Sequence, residues 1–309
     1  MATITAATVK ELRDKTGAGM MDCKAALNQN AGDMEAAVDW LRAKGLSKAA
    51  KKAGRVAAEG LIGMSGDDKS VALVEVNSET DFVARNPAFQ DMVAEIAAAA
   101  LGAKGDLDKL GAAGYGSKGA TVADTLKEMV GSIGENMTLR RTAYLAADNG
   151  VVATYMHNQA APGLGKIGVV VALDCTGDPE AVKAFGKQVA MHIAAANPQS
   201  VDTDSLDQDL VERERAVLTE QAKESGKPEE VIAKMVEGRL RKFYEEVVLL
   251  HQPFVHDPDN TVAKAMEAAG KDVGSPIKIT RFYRFALGEG IDKGESDFAA
   301  EVAAAASGS

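Results

Sequence analysis

Val71-Ala-Leu-Val-Glu-Val76 is a short run dominated by β-branched and aliphatic residues, and Ile167-Gly-Val-Val-Val-Ala172 repeats its character 96 residues later. At the same offset, Ala88-Phe89 superimposes on Ala184-Phe185. Each copy reads as a strand, a polar turn and an Ala-rich helix. Because two matching segments at one offset are stronger evidence than either alone, the sequence predicts an α+β fold. Its core would be two related subdomains, each a small antiparallel sheet backed by helices.

Upstream of the first strand, residues 4–45 read as a compact three-helix module. Glycine-containing breaks at Thr16-Gly-Ala-Gly19 and Asn30-Ala-Gly-Asp33 separate the segments, and apolar residues recur at helical spacing within them. A helical linker follows, with cations every three to four residues: Lys44, Lys48, Lys51 or Lys52, and Arg55. This row could be a face for an anionic partner or simply a solvated helix face.

Downstream of the first copy, the Gly-rich segment 102–123 is predicted to be mostly loop, with a helix from Val122 to Val130. Residues 205–250 predict two amphipathic helices joined by a turn at Ser225-Gly-Lys-Pro228. The apolar stripe of this antiparallel hairpin could pack internally or pair with another chain. The chain closes with a predicted strand at Arg281–Phe285 and a tail helix from Asp297.

These segments predict four units: residues 1–55 with the basic linker, 56–145, 146–280 including the hairpin, and a C-terminal module at 281–309. The chain has 309 residues, of which 46% are hydrophobic and 26% charged, as expected for a globular protein. Two cysteines far apart in sequence predict free thiols in a reducing compartment. The N-terminal residues lack a signal-peptide pattern and no apolar run is long enough to span a membrane, so we expect a cytoplasmic protein.

Charge is distributed unevenly along the chain. The net charge is −10, but residues 1–55 carry ten Lys and Arg against six Asp and Glu. An acidic body argues against extended nucleic-acid binding, which requires a continuous positive surface. It would suit a protein partner with basic surfaces.

Motifs for bond-making chemistry are missing or misplaced. Gly163-Leu-Gly-Lys-Ile-Gly168 matches a dinucleotide-binding pattern, but it would open a strand, whereas phosphate binding needs a helix N-terminus. No Gly-Lys pair precedes Ser or Thr, and the four histidines lack metal-ligand spacing. We expect no cofactor, no metal and a structural role for His192. The sequence therefore predicts a protein that acts by binding.

Several long motifs carry a resemblance to a known family. They are Thr16-Gly-Ala-Gly-Met-Met-Asp-Cys-Lys-Ala-Ala-Leu27, Glu75-Val-Asn-Ser-Glu-Thr-Asp-Phe-Val-Ala84, Ile133-Gly-Glu-Asn136 with Arg140-Arg141, Met191-His-Ile-Ala-Ala195, Lys234-Met-Val-Glu-Gly-Arg239, Gln252-Pro-Phe-Val255 and Asp297-Phe-Ala-Ala-Glu-Val302. In this order, and covering nearly the whole chain, the motifs resemble those of the elongation factor Ts family. The resemblance implies a ubiquitin-associated-like N-terminal module, a two-part core, a helical hairpin in the second part and a C-terminal module.

The resemblance also implies a function and a set of contact residues. Members of the family exchange GDP for GTP on elongation factor Tu, without covalent chemistry. Thr80, Asp81, Phe82 and Val83 correspond to the motif that displaces Mg²⁺ in the GTPase, with Phe82 as the wedge. The positions that correspond to further contacts with elongation factor Tu are Arg13, Met20, Met21, Ile133, Gly134, His157, Met235 and Val236. A 2:2 assembly through the hairpin is a further possibility.

Some alternatives stay open at this point. Read without the resemblance, Phe82 would more simply pack the strand onto the following helix, and Met20 or Met21 could belong to the core of the small module. The basic row at Lys44–Arg55 would also fit an RNA- or ribosome-binding protein. An enzyme lacks a supporting constellation, and a general adaptor would leave Thr80–Val83 without a role.

Overall fold

The computed structural model describes residues 4–16, 18–116 and 119–292. The chain begins with three helices that pack on one another: α1 (Ala6–Thr16), α2 (Met20–Gln29) and α3 (Met34–Lys52). Asp33 caps α3, because its carboxylate accepts a hydrogen bond from the amide of Ala36 at 3.0 Å. The core of this N-terminal module is small: Val9, Leu12, Cys23, Ala26, Leu27, Ala37 and Leu41. The predicted three-helix unit is confirmed, and α3 runs on through the segment predicted as a linker.

The first half of the core follows the module. Its elements are β1 (Glu59–Gly66), β2 (Ser70–Ser78), α4 (Asp81–Ala84), α5 (Pro87–Ala103), α6 (Leu107–Ala112), β3 (Gly114–Tyr115), β4 (Ala120–Thr121), α7 (Val122–Ile133) and β5 (Met137–Ala146). The predicted loop at 102–123 is therefore only partly a loop. It holds the end of α5, the short helix α6 and the paired two-residue strands β3 and β4. Helix α6 forms here because Asp106 caps it and Leu110 is fully buried.

The second half repeats this plan with an insertion. Its elements are β6 (Gly150–His157), β7 (Leu164–Gly165), β8 (Ile167–Asp174), α8 (Pro179–Ala196), α9 (Gln208–Lys223), α10 (Glu229–Val247), a 3₁₀ turn (Leu249–His251), β9 (Pro253–Phe254), β10 (Asp257–Thr261), α11 (Val262–Asp272) and β11 (Lys278–Ala286). The last strand is confirmed. The predicted tail helix from Asp297 lies outside the described residues.

Two antiparallel sheets form the centre of the molecule. One has the order β5-β2-β1-β7 and the other β11-β8-β6, so each repeated run lies on an inner strand of its sheet. A layer of apolar side chains between the sheets includes Leu73 and Val170. The outer face of the first sheet packs on α5 and α7, and that of the second packs on α8 and α11. The predicted fold class, two related α+β subdomains, is confirmed.

The predicted repeat offset of 96 needs correction. In the helices it does not hold, because the left-handed residues that end α5 and α8, Lys104 and Asn197, are 93 residues apart, and at that spacing buried Phe89 matches buried Val182. In the strands it pairs residues of opposite faces: Val74 faces the helices, whereas Val170 faces the other sheet. Because side chains alternate along a strand, the equivalent of Val74 is Val171, at an offset of 97. Both strands are covered on both faces, so no polar alternation marks the register in the sequence.

A buried carboxylate joins the two sheets. Glu75 is fully buried on β2 and accepts hydrogen bonds from Arg140 at 3.0 Å, Arg141 at 2.5 Å, Asn77 at 3.0 Å and the Gly288 amide at 2.8 Å. Burial alone would raise the pKa of Glu75, but the hydrogen bonds from Gly288, Asn77 and Arg141 and the charge of Arg141 together hold the pKa below its ordinary value. The carboxylate therefore stays ionised and ties the end of β11 to the first sheet.

The helical hairpin at α9 and α10 is confirmed, and most of its apolar stripe packs internally. The side chains buried between the two helices are Leu218, Ala222, Val236 and Leu240. Val217 and Val231 point outward instead, with exposed fractions of 51% and 40%.

Candidate partner-binding site

The corner between β2 and α5 presents an exposed aromatic ring. Val83 and Ala84 of α4 are buried in the core of the first half, whereas the Phe82 side chain is 75% exposed. Successive residues of a helical turn point about 100° apart, so burial of Val83 turns Phe82 outward. The alternative in which Phe82 packs strand onto helix is wrong.

The helix that follows gives the corner a firm end. Asn86-Pro87 is a typical cap and first-turn pair, and the Asn86 side chain accepts a hydrogen bond from the Ala88 amide at 2.9 Å. Within the corner, Arg85 forms an ion pair with Asp81 at 2.6 Å, and its guanidinium carbon lies 6.0 Å from the centroid of the Phe82 ring. The ring is thus exposed but flanked by charge.

The loop between α7 and β5 binds the base of the corner. The Thr80 amide and hydroxyl donate to the two carboxylate oxygens of Glu135, at 3.0 and 2.8 Å. One residue earlier, Glu79 accepts a hydrogen bond from the Asn136 amide at 2.5 Å. The Asn136 side chain in turn donates to the Arg55 carbonyl at 2.7 Å. We call the paired segments Glu79-Thr80 and Glu135-Asn136 the corner clamp.

The predicted contact residues Ile133 and Gly134 lie directly before this clamp. Ile133 is half-buried on the first-half core, and Gly134 ends α7 with φ 91°, a conformation that favours glycine. The Lys52 ammonium donates to the Gly134 carbonyl. The structure therefore brings Ile133, Gly134 and the Thr80–Val83 corner together.

His157 reaches the same side of the molecule from the second half. The Lys166 amide donates to the His157 carbonyl at 3.1 Å. Lys166 lines a shallow groove with Glu59, Thr80, Asp81 and Phe82. The exposed His157 ring lies 3.0 Å from the Tyr155 hydroxyl through Nδ1. The turn from β6 to β8 is thus a neighbour of the corner.

The N-terminal module exposes its predicted contact residues. Arg13 is exposed, Met21 is 77% exposed and Met20 is 42% exposed. The alternative that one of these methionines belongs to the module core is wrong. The two Met side chains lie on the first turn of α2, an apolar surface open to solvent.

The module is joined to the core through a close helix crossing. A Cβ on Gly131 of α7 would lie 2.7 Å from the Cα of Gly45 in α3, so only glycine permits this approach. An ion pair from Arg42 to Glu128 at 2.9 Å crosses the same contact. A cleft of about 300 Å³ opens beside it, between the module and α7.

The basic row of the predicted linker does not form a free positive face. Lys44 pairs with Asp22 at 3.0 Å, Lys52 bonds Gly134, and Arg55 reaches Glu79 at 3.5 Å. The side chain of Lys48 lies outside the described part of the chain. Lys44 thus pairs within the module, whereas Lys52 and Arg55 tie the module to the core, which neither sequence interpretation anticipated.

The hairpin residues predicted as contacts are less accessible. Val236 is buried between α9 and α10, and Met235 is half-buried in the same cluster. In the described structure their side chains serve the packing of the hairpin.

Groups that could carry bond-making chemistry have structural partners. Buried His192 lies 2.8 Å from the Gln252 oxygen through Nε2, and its Nδ1 accepts from the Val255 amide at 3.2 Å, which confirms a structural role. Both cysteines are free thiols, as predicted. Within residues 4–16, 18–116 and 119–292, no group of three His, Cys, Asp or Glu side chains is arranged to hold a metal ion. No helix in those ranges is long and apolar enough to cross a membrane.

Comparison with known proteins places this architecture. A family model described as Elongation factor TS matches residues 79–289, a span that starts at the corner clamp. Elongation factor Ts of Bartonella henselae is 62% identical over 305 residues, which cover 99% of both chains. The chain belongs to the elongation factor Ts family. The elongation factor Ts of Parvibaculum lavamentivorans is 62% identical over 308 residues and that of Mesorhizobium japonicum 61% over 302, covering 100% and 98% of both chains.

Membership of the elongation factor Ts family assigns the chain to translation elongation. The similarity to these relatives extends through the N-terminal module, which the family model leaves out.

Sequence reasoning missed three features of this site. Glu135 was quoted within a family motif but given no role, and the glycine crossing of α3 and α7 was not foreseen. Glu75 carried a usable signal, since a carboxylate within an apolar strand run requires a partner and Arg140-Arg141 was available.

Proposed function

We propose that this protein is a guanine nucleotide exchange factor for elongation factor Tu. It would bind the GDP-loaded GTPase, disturb its Mg²⁺ and phosphate site, and promote release of GDP so that GTP can bind. The observation that carries the proposal is the anchored, outward-facing ring of Phe82. Family membership supplies the partner, and this function would place the protein in the cytoplasm.

Exchange of this kind needs no acid, base or metal ligand on the factor. A GTPase holds its nucleotide through a phosphate-binding loop and a Mg²⁺ ion. A partner that prefers the distorted, Mg²⁺-free conformation lowers nucleotide affinity by the difference in its own binding free energy. A shift of about 10⁴-fold corresponds to about 5.5 kcal/mol. The coupling is reciprocal, so incoming nucleotide also weakens the complex and releases the factor.

The proposed contact surface has four groups of residues. Phe82, with Thr80, Asp81 and Val83 as its base, would enter the GTPase near Mg²⁺. Further contacts of the proposed surface are Arg13, Met20 and Met21 on the module, and Ile133, Gly134 and His157 beside the corner. Met235 and Val236 would contribute through the hairpin as a unit, because Val236 is buried within it.

The stoichiometry of the complex remains a prediction. The outward-facing Val217 and Val231 leave room for contact between hairpins, which would give a 2:2 assembly. Light scattering on the purified complex separates this assembly from a 1:1 complex, and a Val217→Asp variant should convert a 2:2 assembly to 1:1.

The deciding experiment measures release of fluorescent GDP from elongation factor Tu by stopped flow, with and without this chain. We expect acceleration by orders of magnitude with the wild type, and at least about a hundredfold less acceleration with Phe82→Ala. A matched control is Val255→Ala, which removes an apolar side chain that is 50% exposed in the second half.

Chelation of Mg²⁺ gives a second arm to the test. If Phe82 acts through the Mg²⁺ site, excess EDTA should raise the basal release rate and shrink the difference between wild type and Phe82→Ala. Wild-type chain that leaves GDP release at its basal rate would refute the function.

A further inference from the structure

Glu135 holds the residue on which the exposed ring depends. Both of its carboxylate oxygens are engaged by Thr80, one by the backbone amide at 3.0 Å and one by the hydroxyl at 2.8 Å. The neighbouring residues repeat the connection, with Glu79 accepting from the Asn136 amide at 2.5 Å. Two consecutive residues on each segment are thus bonded, which fixes both the position and the direction of the chain entering α4.

The hydroxyl of Thr80 is diverted from its ordinary use. Thr80 occupies the N-cap position of α4 with extended angles, φ −124° and ψ 159°, where a threonine side chain normally caps its own helix. Here the side chain makes no capping hydrogen bond and donates to Glu135 instead. Helix α4 therefore lacks the N-cap hydrogen bond that a threonine at this position usually supplies. The carboxylate of Glu135, distant in sequence, holds Thr80 in place instead.

The helix in question cannot hold its shape alone. It has 4 residues, far below the length at which an isolated helix is stable. Val83 and Ala84 anchor its far end in the core, and the corner clamp anchors its near end. A ring that is ordered before binding loses less side-chain and backbone entropy when it enters a partner.

The corner between β8 and α8 in the second half corresponds to this one but carries no exposed aromatic ring. Thr176 lies two residues beyond the end of β8, as Thr80 lies two residues beyond the end of β2, and the Thr176 hydroxyl lies 2.8 Å from the hydroxyl of Ser275. Ser275 follows Gly274 at the end of α11, as Glu135 follows Gly134 at the end of α7. The hydroxyl of Ser275 meets only the hydroxyl of Thr176, whereas the carboxylate of Glu135 binds both the amide and the hydroxyl of Thr80.

We propose that Glu135 is a positioning residue for nucleotide exchange: it clamps Thr80 so that Phe82 projects from the corner in the orientation that acts on the partner. The expected effect on the rate of GDP release rests on the proposed exchange function. The effect of Glu135 on the order of residues 79–86 can be measured on the free protein.

The first test uses hydrogen exchange on the full-length chain alone. Glu135→Ala should increase amide exchange at least about tenfold over residues 79–86 and leave α8 unchanged. The control Ser275→Ala, in the matched corner, should leave residues 79–86 unchanged. Unchanged exchange in Glu135→Ala would overturn the proposal whatever the partner does.

The second test measures GDP release from elongation factor Tu over a range of factor concentrations. Glu135→Ala should lower the maximal release rate about tenfold, while the concentration for half-maximal effect changes less than about twofold. Glu135→Gln, which keeps one acceptor oxygen, should fall between Glu135→Ala and wild type. A loss confined to affinity, with the maximal rate kept, would contradict a positioning role.

A double variant separates positioning from general damage. If Glu135 acts through Phe82, the double variant Phe82→Ala/Glu135→Ala should be no slower than Phe82→Ala alone. Multiplying effects would show that Glu135 acts elsewhere and would overturn the proposal. Failure of the exchange function itself would give a different result. The wild-type chain would then show slow amide exchange over residues 79–86 but would not accelerate GDP release.

Discussion

The corners that follow β2 and β8 begin alike and end differently. Each leaves the inner strand of a sheet. In each, a threonine hydroxyl hydrogen-bonds the residue that follows a glycine in the left-handed conformation. In the second corner α8 starts almost at once, capped by Asp178, and a Cβ on Gly177 would lie 2.8 Å from the Val273 carbonyl oxygen. In the first corner the extra turn α4 intervenes and carries Phe82 outward.

This difference separates what the repeat needs to fold from what one copy adds. The closed second corner shows that a strand can pass to a helix here without any exposed ring. The one-turn helix, the carboxylate clamp and the exposed aromatic ring are therefore additions of the first half. The predictions below test how far the two halves depend on different physical interactions.

The largest expected effect comes from the buried carboxylate that only the first half carries. At the strand offset, Ala172 occupies the position of Glu75. Glu75→Ala would remove the buried carboxylate that both Arg140 and Arg141 bind and leave the Gly288 amide without its acceptor, so we expect the free energy of unfolding to fall by about 3 kcal/mol at pH 7. Urea denaturation measures the loss, with Glu267→Ala, an exposed surface carboxylate, as the control.

The same carboxylate predicts a pH dependence. The pKa of folded Glu75 is lowered, so its contribution is fully present above the unfolded value of about 4.3 and is lost as pH falls further. The difference between wild type and Glu75→Ala should therefore shrink below about pH 4. A difference that is constant from pH 7 to pH 3 would mean that folding does not lower the pKa of Glu75.

The next effect concerns the contact that only α7 makes with the N-terminal module. Gly131 approaches Gly45, whereas the matching residue of α11, Lys271, is exposed and paired with Glu267 at 2.8 Å. Gly131→Ala should cost about 2 kcal/mol, because its Cβ meets backbone that cannot move aside. Exchange protection in α1 to α3 should fall while the sheets keep theirs.

Gly102→Ala is a control of opposite sign. It is the same substitution near the end of α5, where a Cβ meets nothing within 4 Å. Helix propensity then dominates, and the variant should gain about 0.5–1 kcal/mol. Two variants with the same sign would refute the close crossing as the cause.

A smaller effect should appear as a difference between α5 and α8 in how their local stability depends on pH. His192 is a buried titratable residue of α8, whereas the buried residues of α5 are all apolar. Burial lowers the pKa of His192, and the nearby charge of His256 acts in the same direction, while the bond to Gln252 opposes them. Below about pH 6.5 the unfolded chain takes up a proton first, so the second half loses stability as pH falls.

Hydrogen exchange at pH 7.5 and 5.5, corrected for intrinsic rates, measures this difference. The loss in α8 should reach at most about 1.4 kcal/mol per pH unit, and α5 should show none from this source. Equal pH responses in the two helices would contradict the assignment.

The smallest effect, the loss of a helix N-cap, should be equal in the two halves. Thr121 caps α7 and Thr261 caps α11, accepting from the amides of Asp124 and Lys264 at 3.1 and 3.3 Å. Replacing either threonine by alanine should cost about 1 kcal/mol, measured by urea denaturation. Losses that differ by more than about 0.5 kcal/mol would show that the caps are not equivalent.

Much of this fold could be predicted from local sequence. Glycine breaks and helical spacing located the N-terminal module, and Asn86-Pro87 marked the start of α5, because caps and turns depend on neighbouring residues. The strand register could not be predicted, since Val74 and Val170 look alike when both faces are covered.

The site was harder to predict because its parts are distant in sequence. Whether Phe82 points inward or outward depends on Val83 finding a place in the core, which no local pattern reveals. The bond from Glu135 to Thr80 spans 55 residues, so neither residue signals the other. Only the family resemblance drew attention to Thr80–Val83.

The tie between Glu75 and Gly288 also has a consequence for synthesis on the ribosome. These partners are separated by 213 residues, so at about 5–20 residues per second the carboxylate leaves the tunnel some 10–40 s before its amide donor. During that interval the nascent first sheet carries an incompletely bonded charge at its centre. A chaperone that holds nascent chains should bind stalled chains ending before residue 278 more strongly than the finished protein.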